Sequence, residues 1–151
     1  MDLKQLIQTS ADQLEQAQIA FGQGTLTAID EATWLVLWQL QLPLDLDLTE
    51  DLQQLQAQVL AWQPKLDVVN LSLANVQACQ ALIAKRIQTR KPAAYLTQEA
   101  WLQGISFYVD ERSIVPRSFI AELIADGAFD GWLSESSNSF LDLCTGNGSL
   151  A

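Results

Sequence analysis

The sequence predicts a mainly α-helical chain in two parts: a helical bundle over residues 1–91, then over residues 92–151 the opening of an α/β domain. That opening is expected to run as a β-hairpin, a helix and a first strand. Three observations carry this. Apolar residues recur at helical spacing as far as Pro92. Beyond Pro92 the pattern changes to strand-like alternation around Gly104. The last residues, Leu141-Asp142-Leu143-Cys144-Thr145-Gly146-Asn147-Gly148-Ser149-Leu150-Ala151, are an apolar run and then a glycine-bearing turn. A strand takes that form where its backbone approaches a ligand, because a Cβ would block the approach.

Each element has a local reason. Leu3, Leu6, Ile7, Leu14 and Ala17 lie on one helical face, and the glycines of Phe21-Gly22-Gln23-Gly24 stop that helix. Asp30 is the expected cap of a second helix, apolar on nearly every side through Trp34, Leu35, Val36, Leu37 and Trp38, which Pro43 ends. Residues 49–60 supply a third amphipathic segment, closed by Pro64. Ser72 caps a long fourth helix with Leu73, Val76, Ile83 and Ile87 inward. Lys85, Arg86 and Arg90 stand near its C-terminal end, where they complement the helix dipole. Residues 101–109 form the expected hairpin, with Tyr95 and Trp101 as core aromatics. Ser118 caps a helix from Phe119 to Ala125, and residues 134–139 form a loop before the strand at 141–144.

Composition excludes several chemistries. There is no histidine, and Cys79 and Cys144 have no paired spacing, so zinc sites, histidine-based triads and disulfide frameworks lack their residues. No apolar stretch approaches the roughly 20 residues of a membrane span, and a soluble, cytoplasmic protein is expected. The net charge of −10 is uneven: residues 1–84 sum to −8, residues 85–117 to +3 and residues 118–151 to −5. An acidic N-terminal region is a poor match for phosphate backbones and a match for a basic protein partner, although charge by itself reads first as simple solubility.

The glycine turn alone is a weak signal. It gains force from Val109-Asp110-Glu111-Arg112-Ser113-Ile114-Val115-Pro116-Arg117-Ser118, about thirty positions earlier, and from Lys91-Pro92-Ala93-Ala94-Tyr95-Leu96 before that. Together these resemble the glutamine-directed protein methyltransferases of the HemK/PrmC/PrmB group, which use S-adenosyl-L-methionine to modify side-chain amides. The likeness includes Phe21-Gly22-Gln23-Gly24 and Asp30-Glu31-Ala32. Pro116-Arg117 is followed by Ser118-Phe119-Ile120-Ala121-Glu122, not by the Pro-x-Thr-Glu of the release-factor branch. That form is closer to the PrmB branch, which acts on a large-subunit ribosomal protein. Asn147 and Ser149 depart from the usual Gly-Ser-Gly-Cys.

The resemblance implies a helical substrate-recognition domain and the beginning of a Rossmann-like methyltransferase domain. It implies cofactor contacts at Asp142, Thr145, Gly146, Asn147 and Gly148, an active-site loop at Pro116 and Arg117, and a basic ribosomal protein as substrate, with no direct nucleic acid and no membrane. For Arg117 two readings stand: a cofactor or substrate contact, or a helix-entry residue paired to Glu122 or Glu111. The group's downstream Asn-Pro-Pro-Tyr motif is absent. The chain is therefore expected to be an inactive N-terminal portion whose last strand is either frayed or paired with another copy through the incomplete sheet. An adenine-specific DNA methyltransferase shares the cofactor loop, although the acidic helical part opposes it. A non-catalytic helical interaction module is the alternative of another class.

Overall fold

A computed structural model of the chain describes residues 1–133, 136, 137, 139, 141–143 and 145–150. It divides into two compact units, Met1–Ala93 and a second from Ala94 onward. The first is built from α1 (Leu3–Gln16), α2 (Ala28–Gln39), α3 (Leu52–Val59) and α4 (Leu73–Thr89). Helices α1, α2 and α4 pack against one another around Leu3, Leu6, Leu14, Leu35, Leu37 and Ile83, all buried. Burying each such side chain is worth roughly 1.5–3 kcal/mol, so these positions outweigh the weak intrinsic preferences of the Gln-rich surface. Leu55 and Val59 are the buried positions of α3. The N-terminal backbone is tied to the α3–α4 connection by Leu3 N to Val68 O at 2.9 Å and Leu71 N to Met1 O at 3.1 Å.

Several ends differ from the sequence expectation. Helix α2 is capped by Thr27, not Asp30. Asp30 is the third helical residue, and the two exchange bonds in a capping box, each at 3.2 Å. Helix α1 stops at Gln16, before the glycines, because Gln18 turns the chain at φ 51°. Helix α2 likewise stops at Gln39, ahead of Pro43, with Gln41 at φ 56°. Leu73, expected inward, is 72% exposed at the first turn of α4. Ser72 does cap α4, accepting from Asn75 N at 3.2 Å.

The second unit holds α5 (Ala93–Thr97, which begins at the boundary), the antiparallel strands β1 (Glu99–Leu102) and β2 (Ile105–Tyr108), α6 (Phe119–Ala125) and a 3₁₀ turn, Asp130–Trp132. Gln103 and Gly104 connect the strands at φ 49° and 75°, the two positive values of a type I′ hairpin turn. Trp101 is 49% exposed on this hairpin instead of lying in a core, because a two-stranded ribbon covers one face only. Tyr95 is half-buried, its hydroxyl donating to Ser113 O at 2.7 Å. Helix α6 has the predicted bounds, and Ser118 accepts from Ile120 N at 3.1 Å.

The strand expected at residues 141–144 is not formed at Leu141, Asp142 or Leu143, and Cys144 lies outside the described residues. A strand exists through lateral hydrogen bonds, and the β1–β2 pair is the only sheet among the described residues. Leu141 and Leu143 accordingly stand 82% and 75% exposed. Of the expected loop at 134–139, residues 134, 135 and 138 also lie outside the described set. Among the described residues no helix is long and apolar enough to cross a membrane.

Candidate functional site

The predicted site residues occupy two segments of the second unit. Asp142, Thr145, Gly146, Asn147 and Gly148 share one loop, in which Gly148 N donates to Thr145 O at 3.0 Å. That bond closes a tight turn. Gly146 and Gly148 have φ of 63° and 81°, and no atom lies within 4 Å of where a Cβ would stand on either. The backbone is thus free for close approach from outside, which is what glycine contributes at such a turn.

Two side chains of this loop are polar and unsatisfied. Asp142 Oδ2 and Asn147 Nδ2 are buried atoms with no hydrogen-bond partner among the described residues. A buried polar atom without a partner costs on the order of 1–3 kcal/mol, so each calls for a group from elsewhere. Asp142 offers an acceptor and Asn147 a donor. Among the described residues no cluster of His, Cys, Asp and Glu could hold a metal ion.

Pro116 and Arg117 lie in the second segment, where the chain enters α6. Val115 and Pro116 are buried and Arg117 is exposed. Arg117, Ser118, Phe119 and Glu122 line a groove of about 370 Å³. The segment leading there is braced by Asp110 and Arg112, a pairing not foreseen from the sequence pattern. Arg112 grips Asp110 through Nε to Oδ1 at 2.9 Å and Nη2 to Oδ2 at 2.7 Å, and Arg112 N donates to Oδ1 at 3.0 Å. Those bonds hold the Asp110 carboxyl well below the usual carboxylate range and raise Arg112. The signal available in the sequence was the acid and base two residues apart within the Asp110-Glu111-Arg112 turn.

The chain matches no protein-family model. It is 42% identical over 151 residues to the ribosomal protein uL3 glutamine methyltransferase of Burkholderia pseudomallei, an alignment covering 99% of this chain and 44% of that protein. To the protein of the same name from Neisseria gonorrhoeae it is 41% identical, covering 99% and 45%. To that of Xanthomonas campestris pv. campestris it is 41% identical over 147 residues, covering 97% and 42%. The chain therefore spans less than half the length of the curated relatives it matches.

Proposed function

We propose that this chain is the N-terminal part of an S-adenosyl-L-methionine-dependent protein-(glutamine-N)-methyltransferase of the HemK/PrmC/PrmB group. Its substrate is the large-subunit ribosomal protein uL3, in the cytoplasm. The observation that carries this is identity of 42% over 99% of the chain with a protein of that name. Residues 1–91 serve substrate recognition, and the residues from 92 onward begin the methyltransferase domain.

The loop at Asp142 to Gly148 fits the cofactor. Its amino-acid end carries an ammonium, which needs an acceptor such as the unpartnered Asp142 Oδ2, and a carboxylate, which needs donors such as Asn147 Nδ2. The open backbone at Gly146 and Gly148 admits that end closely. When bound, S-adenosyl-L-methionine supplies an electrophilic methyl group. Thr145 belongs to the same turn and sets its shape through its carbonyl. Pro116 fixes the backbone direction at the mouth of the groove, and Arg117 presents a permanent positive charge beside it. A carboxamide nitrogen is a poor nucleophile, so the task left to these residues is binding and alignment.

The substrate reading also draws on charge. Residues 1–84 sum to −8, which favours association with a basic ribosomal protein and opposes a nucleic-acid backbone. The test is the full-length protein with tritiated cofactor, offered uL3 and a class-one release factor side by side. Labelling of uL3 at a glutamine is expected. Labelling of the release factor in preference, or of neither, would overturn the proposal.

A further inference from the structure

In the first unit a buried ion pair that joins α2 to α4 also holds the connection between α1 and α2. Arg86 Nε meets Glu31 Oε1 at 2.6 Å, with both side chains 3% exposed. Arg86 Nη2 donates to Ala20 O at 3.1 Å, and Glu31 Oε2 accepts from Thr25 Oγ1 at 2.8 Å. Both ends of the connection thus hang on one pair. Gly22 N closes its tip by donating to Thr25 O at 2.7 Å, and Arg90 Nη1 holds the approach through Ala17 O at 2.7 Å. The tip adopts φ of 110° at Gly22 and 103° at Gly24, values open to glycine alone, and Gly24 rests on the ring of Trp34.

This frame displays an apolar side chain. Leu26 precedes the cap of α2, where a hydrophobic residue ordinarily packs on the fourth helical residue. Here the fourth helical residue is Glu31, committed to Arg86, and Leu26 is left 82% exposed with Ile29 41% exposed one turn along. A buried ion pair is commonly no more stabilising than an apolar pair of like volume. What it adds here is a fixed shape for an outward-facing loop. Asp30, exposed beside Leu26, puts negative charge at the rim.

We infer that the loop from Ala20 to Leu26 is the docking element for the protein substrate, with Leu26 received by an apolar pocket flanked by basic residues. The inference rests on the proposed function for its partner, and Glu31 and Arg86 act as positioning residues. Charge complementarity selects that partner: residues 1–84 hold 10 acidic and 2 basic side chains.

The experiment measures binding of purified uL3 to the 151-residue chain by calorimetric titration, with methylation of uL3 by the full-length protein run in parallel. Leu26→Ser removes nothing from the core, and a loss of roughly tenfold in affinity is expected, the scale of one apolar contact. Leu73→Ser is the control, equally apolar and 72% exposed but about 20 Å along α4 from Arg86. It should leave affinity unchanged. The double variant Glu31→Leu with Arg86→Met should weaken binding while hydrogen exchange quickens more over residues 20–26 than in the cores of α2 and α4. If uL3 is methylated and Leu26→Ser binds like wild type, the docking inference fails alone. If uL3 is not methylated, the functional reading fails and takes the inference with it.

Discussion

Replacing Arg86 with methionine keeps most of the side-chain length while deleting the guanidinium that faces Glu31 at 2.6 Å in a site where both side chains are 3% exposed. Glu31 is then a buried carboxylate with Thr25 as its remaining partner. Breaking a buried pair from one side costs about 3–5 kcal/mol, because the surviving charge is uncompensated. For a unit the size of Met1–Ala93 the unfolding entropy is roughly 0.2 kcal/mol/K, so the melting temperature should fall by roughly 15–25 °C. Adding Glu31→Leu removes the stranded charge. The double variant should recover to within about 2 kcal/mol of wild type, the remainder being the lost bonds to Ala20 O and Thr25 Oγ1 at about 1 kcal/mol each. Chemical denaturation of the wild type, the single and the double variant gives all three values. A single variant costing under 1 kcal/mol, or a double variant as damaged as the single, would refute the reasoning.

Gly24→Ala should destabilise by more than Gly22→Ala: both positions carry strained positive φ, worth about 1–3 kcal/mol, but only at Gly24 does the new Cβ meet Trp34, at 3.1 Å. Urea melts rank the two. Burial pushes the Cys79 thiol up to about 11, so iodoacetamide at pH 8 should modify Cys79 only after unfolding; peptide mapping that finds it labelled in native buffer contradicts the packing. Because Arg112 holds Asp110 below its unfolded value near 3.9, their contact stabilises the turn above that value and is lost as pH falls through the lower folded one. Carbon-detected titration should find Asp110 shifted upward in Arg112→Ala, and no shift would dismiss the clamp.

The elements legible in the sequence were those with a local signature. Ser72 and Ser118 were visible as caps because a short hydroxyl before an apolar run satisfies an orphan N–H, and α6 appeared with its observed bounds. Helix ends set by glutamine in the left-handed region escaped, since nothing marks Gln18 or Gln41 for a conformation that glycine or asparagine usually takes. Arg86 was read as a partner for its own helix dipole. Its true partner is Glu31, 55 residues away. A signal did exist: Arg86 falls on the same helical stripe as Cys79 and Ile83, and Glu31 on the same stripe of α2 as Ala28 and Leu35, so two charges of opposite sign interrupt two buried faces. In the second unit the hairpin was visible from Gly104, whereas exposure at Trp101 depends on how many strands flank it. The orphan atoms of Asp142 and Asn147 are a property of three dimensions. The glycine turn pointed to their loop, and only the fold shows that they lack partners.

Among the described residues four left-handed positions are filled by glutamine: Gln18, Gln41, Gln98 and Gln103, at φ between 49° and 57°. An ordinary side chain there costs about 1–2 kcal/mol, and glycine gives back roughly 0.5–1 in entropy, so each site withholds between about 0 and 1.5 kcal/mol. The molecule thus carries an unspent reserve at its surface turns, separate from its core. Gln103 is the plainest case, because it precedes Gly104 in a turn that favours Asn-Gly. Introducing that pair, and placing glycine at Gln18, would give a laboratory lineage a cushion against harmful substitutions elsewhere, widening the range of sequences it could explore before unfolding.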